Sequence, residues 1–155
     1  MREKHEGGAG PIDVRAWLRM LSCTMTIEKA LRRNFAEQYD TTLPRFDVMA
    51  ALDRHPEGRT MGQLSRALLV SNGNVTAIVR QLQEAGLVEV SPDPEDRRTS
   101  IVVLSLAGQT QFAELARAHH EWIGKALADV AEEDLERLHG LLAKVKASIG
   151  ENLKP

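Results

Sequence analysis

Few folds are open to a chain carrying the stretch from Thr60 to Ser105. Pro92 and Pro94 each lack an amide donor and each fix a backbone angle, so no helix crosses Ser91 to Arg98 and the segment is expected as a loop. Before it, Leu87-Val88-Glu89-Val90 alternates in strand register; after it, Thr99 to Leu104 returns as a run of largely branched residues. The spacing predicts a two-stranded hairpin with Asp96, Arg97 and Arg98 at its tip. Upstream, Val75, Ile78, Val79 and Leu82 recur at the three-and-four spacing of one buried helical stripe, with Ser71 as the N-cap and Gly86 as the left-handed residue past the end. A shorter helix starts from Thr60 as N-cap and turns Met61, Leu64, Ala67 and Leu68 inward, leaving Gln63 and Arg66 to solvent.

The exposed face of the second helix then carries Asn72, Asn74, Thr76, Arg80, Gln81 and Gln83. Amides, hydroxyls and a guanidinium are the groups that read base edges and phosphates in a major groove. Double-stranded DNA is the partner this face suggests, with Ser71, Asn72, Asn74, Thr76 and Arg80 as candidate contacts and Asp96, Arg97 and Arg98 as candidates on the hairpin. Charge does not supply the affinity. The net charge is −2, and between Asp53 and Ser100 the bases Arg54, Arg59, Arg66, Arg80, Arg97 and Arg98 are matched by Asp53, Glu57, Glu84, Glu89, Asp93, Glu95 and Asp96. Specificity must lean on base contacts, on the hairpin tip and on having two copies.

The flanks provide a way to make two copies. No proline or glycine interrupts Ile12 to about Tyr39, where Trp17, Leu18, Leu21, Met25, Leu31 and Phe35 form an apolar stripe. A second pattern runs from Ser105 past Val130 through Phe112, Leu115, His119, Trp122, Ile123, Ala126 and Leu127, and a third from Asp134 to Ile149 through Leu135, Leu138, Leu141, Leu142 and Val145. These helices outsize the central module, so the economical expectation is a two-fold homodimer whose two recognition helices lie about one DNA turn apart and read a near-palindromic operator. Between them, Pro44 at a helix start, followed by Phe46, Val48, Met49, Ala50 and Leu52, predicts a short buried helix ending before Pro56. The expected fold is mainly α with a small β wing, a winged helix-turn-helix flanked by N- and C-terminal dimerisation helices. Residues 1–10 are expected as a disordered tail and 11–155 as one domain, with 11–43 and 106–155 for dimerisation and 44–105 as the lobe.

Composition narrows the remaining classes. With 43% hydrophobic and 4% aromatic residues, aliphatic side chains must fill the core. No apolar run is long enough to span a membrane and the N-terminus has no secretory apolar core, so a cytoplasmic protein with no membrane partner is expected. One cysteine excludes an internal disulfide framework. There is no glycine-rich phosphate loop or nucleophile elbow, and the histidines, His5, His55, His119, His120 and His139, include no pair at ligand spacing. No catalytic residue, metal site or cofactor is therefore assigned, and the chain is not read as an enzyme.

The order of elements, the segment Gln83-Glu84-Ala85-Gly86-Leu87-Val88, the tip Asp93-Pro94-Glu95-Asp96-Arg97-Arg98 and the following Leu104-Ser105-Leu106-Ala107-Gly108 resemble the MarR family of bacterial winged-helix regulators over nearly the whole chain. The resemblance implies a homodimer that binds DNA, with an Asp-x-Arg at the wing tip, here Asp96 and Arg98, serving the minor groove. The guanidinium would enter a narrow electronegative groove while the carboxylate holds it extended in the free protein. It also implies an effector pocket where the dimer helices meet the lobe. Candidate lining residues are Trp17, Arg19 and Cys23 on the first helix and Arg45, Phe46 and Met49 on the second, together with the Phe112 to Trp122 face. Arg19 and Arg45 are the anchors, each a cation beside an apolar stripe, which suits an aromatic carboxylate or the phosphates of a CoA thioester. The segments 17–23, 41–47 and 70–76 resemble the branch of the family that responds to phenolic or hydroxycinnamoyl-type compounds. The reading is a repressor released by a small aromatic or phenolic acid or its CoA thioester. Two alternatives are a regulator sensing oxidation at Cys23 and a winged-helix protein-interaction module that does not bind DNA.

Overall fold

The structure is a computed structural model and describes residues 10–68 and 72–154, of residues 72 and 73 the backbone alone. The expected tail thus falls, apart from Gly10, outside the described residues, as does Ser71. Among the described residues the order is α1 (Ile12–Tyr39), α2 (Leu43–Asp53), β1 (Arg59–Thr60), α3 (Met61–Leu68), α4 (Asn72–Glu84), β2 (Val88–Pro92), β3 (Ser100–Leu104), α5 (Leu106–Ala126) and α6 (Glu132–Asn152). The chain divides into two compact units, one ending at His120 and the other beginning at Glu121.

In the first unit several helix ends are set by local chemistry. α1 ends on Asp40, which takes the left-handed conformation (φ 49°) and donates its N–H to the carbonyl of Phe35. Thr42 caps α2 by accepting from the Arg45 N–H at 3.3 Å, and Pro44 occupies its first turn. At α3, Thr60 and Gln63 form a reciprocal capping box: the Thr60 hydroxyl accepts from the Gln63 N–H at 3.1 Å and Gln63 Oε1 accepts from the Thr60 N–H at 3.0 Å. Gln63 is therefore half-buried rather than turned to solvent, and Ala67, expected inward, is exposed. α4 closes with Gly86 at φ 74°, whose N–H donates to the Gln83 carbonyl while Leu87 N–H donates to that of Leu82. This pair of bonds is a Schellman turn, which uses up two carbonyls the helix end leaves unpaired.

The sheet has three antiparallel strands in the order β1-β3-β2, where the sequence predicted two. Arg59 pairs with Val102 and Thr60 with Ile101; on the other side Val88 faces Leu104, Val90 faces Val102 and Pro92 faces Ser100. Ser91 and Pro92, expected in the loop, extend β2. Pro92 is tolerated because it ends an edge strand, where a missing donor breaks little. β3 is central, and along its Ile101-Val102-Val103-Leu104 run half-buried and buried residues alternate.

The core of this unit joins Leu31 and Phe35 of α1, Phe46, Val48, Met49 and Leu52 of α2, Leu64 of α3, Val75, Val79 and Leu82 of α4, Val88 and Val102 of the sheet and Leu115 of α5. Phe46 is its aromatic centre, with ring centroids 4.9 Å from Phe35, 5.6 Å from Phe112 and 4.8 Å from the His119 imidazole. Ser105 fastens α5 to the sheet. Its hydroxyl donates to the Gly86 carbonyl at 2.6 Å and accepts the Gly108 N–H at 3.0 Å, and its own N–H donates to the Leu87 carbonyl at 3.0 Å. A Cβ at Gly108 would run into the Leu87 carbonyl, so only glycine allows this approach.

In the second unit α5 stops at Ala126, short of the pattern expected to run past Val130, and Leu127 to Val130 form a turn in which Val130 N–H donates to the Leu127 carbonyl. α6 has acidic residues Glu132, Glu133 and Asp134 in its first turn, where they suit the helix dipole, but it buries none of its residues. Leu138, Leu141, Leu142 and Ile149 all stand exposed.

Candidate functional site

α4 is set by its buried stripe. Val75, Val79 and Leu82 are essentially inaccessible and Ile78 is half-buried, which leaves Asn74, Thr76, Arg80, Gln81 and Gln83 on the outer face. The chain thus brings Asn74, Thr76 and Arg80 onto one exposed helical surface, while Ser71 and the side chain of Asn72 lie outside the described residues. Gln81 is engaged from behind: its Oε1 accepts from Arg45 Nε at 3.0 Å, tying the start of α2 to the last turns of α4. The Asp47 carboxyl is held above the usual range mainly by burial and then by Glu28, against the opposing pull of Arg32 and Arg54.

The wing tip is built from side chains that bond back to the backbone. Asp93 Oδ1 accepts from the Glu95 N–H at 3.0 Å, and Asp96 Oδ1 from the Arg98 N–H at 3.1 Å. Asp96 Oδ2 accepts from the Thr99 hydroxyl at 3.2 Å, and Thr99 N–H donates to the Asp96 carbonyl at 3.0 Å. Asp96 thus braces a turn and makes no ion pair with the Arg98 guanidinium among the described residues, contrary to the role its motif implies. Arg97 and Arg98 are exposed, and Arg97 borders a shallow hollow with Pro92, Asp93 and Pro94.

The six residues expected around an effector separate into two environments. Trp17, Arg19 and Cys23 are exposed on α1 in the single chain, and Arg45 is half-buried and bonded to α4. Phe46 (6% exposed) and Met49 (1%) are core residues and offer a ligand no surface in this state. What the sequence reading did not give is the partner of His119, which it had placed only on the α5 stripe. Its stacking on Phe46 brings a titratable ring into the aromatic cluster, and burial, followed by the charge of His120, lowers its pKa below the ordinary histidine value.

No helix of the described residues is long and apolar enough to cross a membrane, and they hold no group of three His, Cys, Asp or Glu side chains able to hold a metal ion.

An exposed polar helix face beside a braced, arginine-tipped hairpin is an arrangement found in other proteins. Residues 39–99 match the MarR family. The chain is 30% identical over 132 residues to the transcriptional activatory protein BadR of Rhodopseudomonas palustris, covering 83% of this chain and 75% of that one. It is 27% identical over 131 residues to the HTH-type transcriptional regulator PecS of Dickeya dadantii, covering 83% and 78%. The crystal structure of a MarR family transcriptional regulator from Silicibacter pomeroyi superposes with a TM-score of 0.75 at 31% identity, over 88% of this chain and 94% of that one. These relatives are regulators of transcription, not enzymes. The chain belongs to the MarR family of DNA-binding transcriptional regulators.

Proposed function

We propose that the protein is a cytoplasmic homodimer that represses transcription from a near-palindromic operator and is released by a small aromatic or phenolic acid or its CoA thioester. The observation that carries the DNA contacts is the outer face of α4, where Asn74, Thr76 and Arg80 stand over a buried Val75-Val79-Leu82 stripe that leaves the helix no freedom to rotate. We assign Ser71 and Asn72 to the same contact by their position at the start of α4, and Asp96, Arg97 and Arg98 to the wing.

Two copies are favoured by apolar residues without cover in a single chain. Ile12 (73% exposed), Trp17 (54%) and Met25 (60%) stand on α1, and Leu141 (58%) stands among the exposed leucines of α6. A second copy gives both sets a place to bury. For the effector, Arg45 is the anchor we favour: an anionic ligand that draws its guanidinium away from α4 competes with the bond to Gln81 and so acts on the recognition helix. Trp17, Arg19 and Cys23 supply the α1 side of that pocket, and Phe46 and Met49 join it only if the core opens. Sensing by Cys23 has less support, since a reactive thiol needs nearby donors to steady its thiolate, and Tyr39, the one phenol in the chain, lies about 24 Å further along the same helix at 1.5 Å per residue. BadR is by name an activatory protein, so the sign of regulation is the part of this reading that a reporter gene decides directly.

The test of DNA binding is fluorescence anisotropy on the DNA upstream of the protein's own gene, with wild type and Arg98→Ala. The variant is expected to lose about 1–3 kcal/mol of affinity while its oligomeric state is unchanged. Equal affinities would remove the wing from the mechanism.

A further inference from the structure

Away from the α4 face, the end of α2, β1 and α3 enclose a hollow of about 240 Å³. Its walls carry Arg54 and His55 from the end of α2 and the loop after it, Arg59 from β1, and Gln63 and Arg66 from α3, with Leu64 at its apolar floor. Three guanidiniums around one small cavity form an unusual concentration of positive charge in a chain whose net charge is −2. None of the three makes an ion pair with a carboxylate among the described residues. The acid nearest His55 and Arg59 is already engaged. Glu57 Oε1 lies 3.0 Å from His55 Nδ1, and its carboxyl is held below the usual range by its own backbone and by that histidine.

The His55 ring fixes one of the arginines. Arg59 Nη2 lies 2.6 Å from Nδ1 and 2.7 Å from Nε2, so the guanidinium is held against the imidazole ring that Glu57 engages through Nδ1. The Gln63 carbonyl oxygen is likewise taken, by the Thr60 N–H, which leaves its amide group as a donor. The lining is thus rich in donors and poor in acceptors, and the Arg59 guanidinium is held against the His55 ring.

We propose that this hollow is a binding site for a small oxyanion, a phosphate group in particular, held by Arg54, Arg59 and Arg66. Guanidiniums match phosphate oxygens two bonds at a time, and three of them lining one cavity favour an anion there. The volume falls just under the range of ordinary small-molecule clefts, so it holds a phosphate with at most a small attached group. The phosphate can belong to a free small molecule or to the DNA backbone, and the two sources are separable by experiment.

The full-length protein is titrated with inorganic phosphate at low ionic strength by calorimetry, as wild type and as the double variant Arg59→Gln/Arg66→Gln, whose fold is checked by circular dichroism. Saturable binding by wild type, competed by sulfate and weakened roughly tenfold or more in the variant, supports the site with a free ligand. In parallel, the salt dependence of duplex DNA binding is measured for both proteins. If free phosphate is not bound but the variant lowers the salt slope by about one per arginine removed, the site is supported with the DNA backbone as its occupant. Phosphate binding that is equal in the two proteins, or absent in both while the salt slope stays the same, overturns the proposal. The phosphate arm contains no DNA, so its outcome is independent of the operator-binding reading.

Discussion

Asp96 occupies the position its motif assigns, yet its carboxylate accepts from the Arg98 backbone N–H and the Thr99 hydroxyl instead of holding the guanidinium. The motif was legible because residue types and spacing are one-dimensional; the bond was not, because a short acceptor beside a turn reaches main-chain donors before it reaches the end of an arginine. His119 is a second case. Its place on an apolar stripe was evident, but the ring of Phe46 that it stacks on comes from residues far away in the chain. Its pKa is lowered on folding, mainly by burial, so the neutral ring is the form the fold favours. The associated stability is present above the unfolded-state value of about 6.5 and is lost as pH falls through the lower folded value. His119→Leu is expected to narrow the difference in Tm between about pH 7.5 and about pH 5.5. An unchanged difference would place the acid sensitivity in other groups.

At the scale of elements, α1 was predicted with both ends correct, because twenty-eight residues without proline or glycine admit one reading. The α3 start was equally legible in Thr60, while β1 was not. Two residues carry no periodicity, and Arg59 and Thr60 become a strand only because β3 lies beside them. The same holds for Gln63, whose polar side chain suggested solvent but closes the capping box. Thr60→Val keeps the branched shape that suits β1 and removes the capping hydroxyl. It is expected to cost about 1 kcal/mol of stability, read as a lower denaturant midpoint with an unchanged slope. A variant as stable as wild type would show that the Gln63 half of the box suffices.

For the whole molecule, the proposed dimer concentrates on apolar positions that a single chain leaves in water. Leu138→Glu/Leu141→Glu is expected to shift the protein from dimer to monomer in sedimentation velocity and to weaken operator binding with it. In wild type, Tm should rise with protein concentration, since pairing stabilises only the folded state. A wild type that sediments as a monomer would overturn the dimer, and a variant that remains dimeric would move the pairing surface away from α6.

The order of helices, the hairpin and the family resemblance were all present in the linear chain, since periodicity, caps and turn residues act over a few positions. So was the polar face of α4, because burying one stripe of a helix exposes the other. Three things depended on distant segments coming together: the third strand, the Arg45 to Gln81 bond across thirty-six positions, and the enclosure of Arg54, Arg59 and Arg66 around one hollow. Side-chain pairing and cavity shape are set by which surfaces the core brings together, and that is a property of packing in three dimensions, which no local pattern encodes.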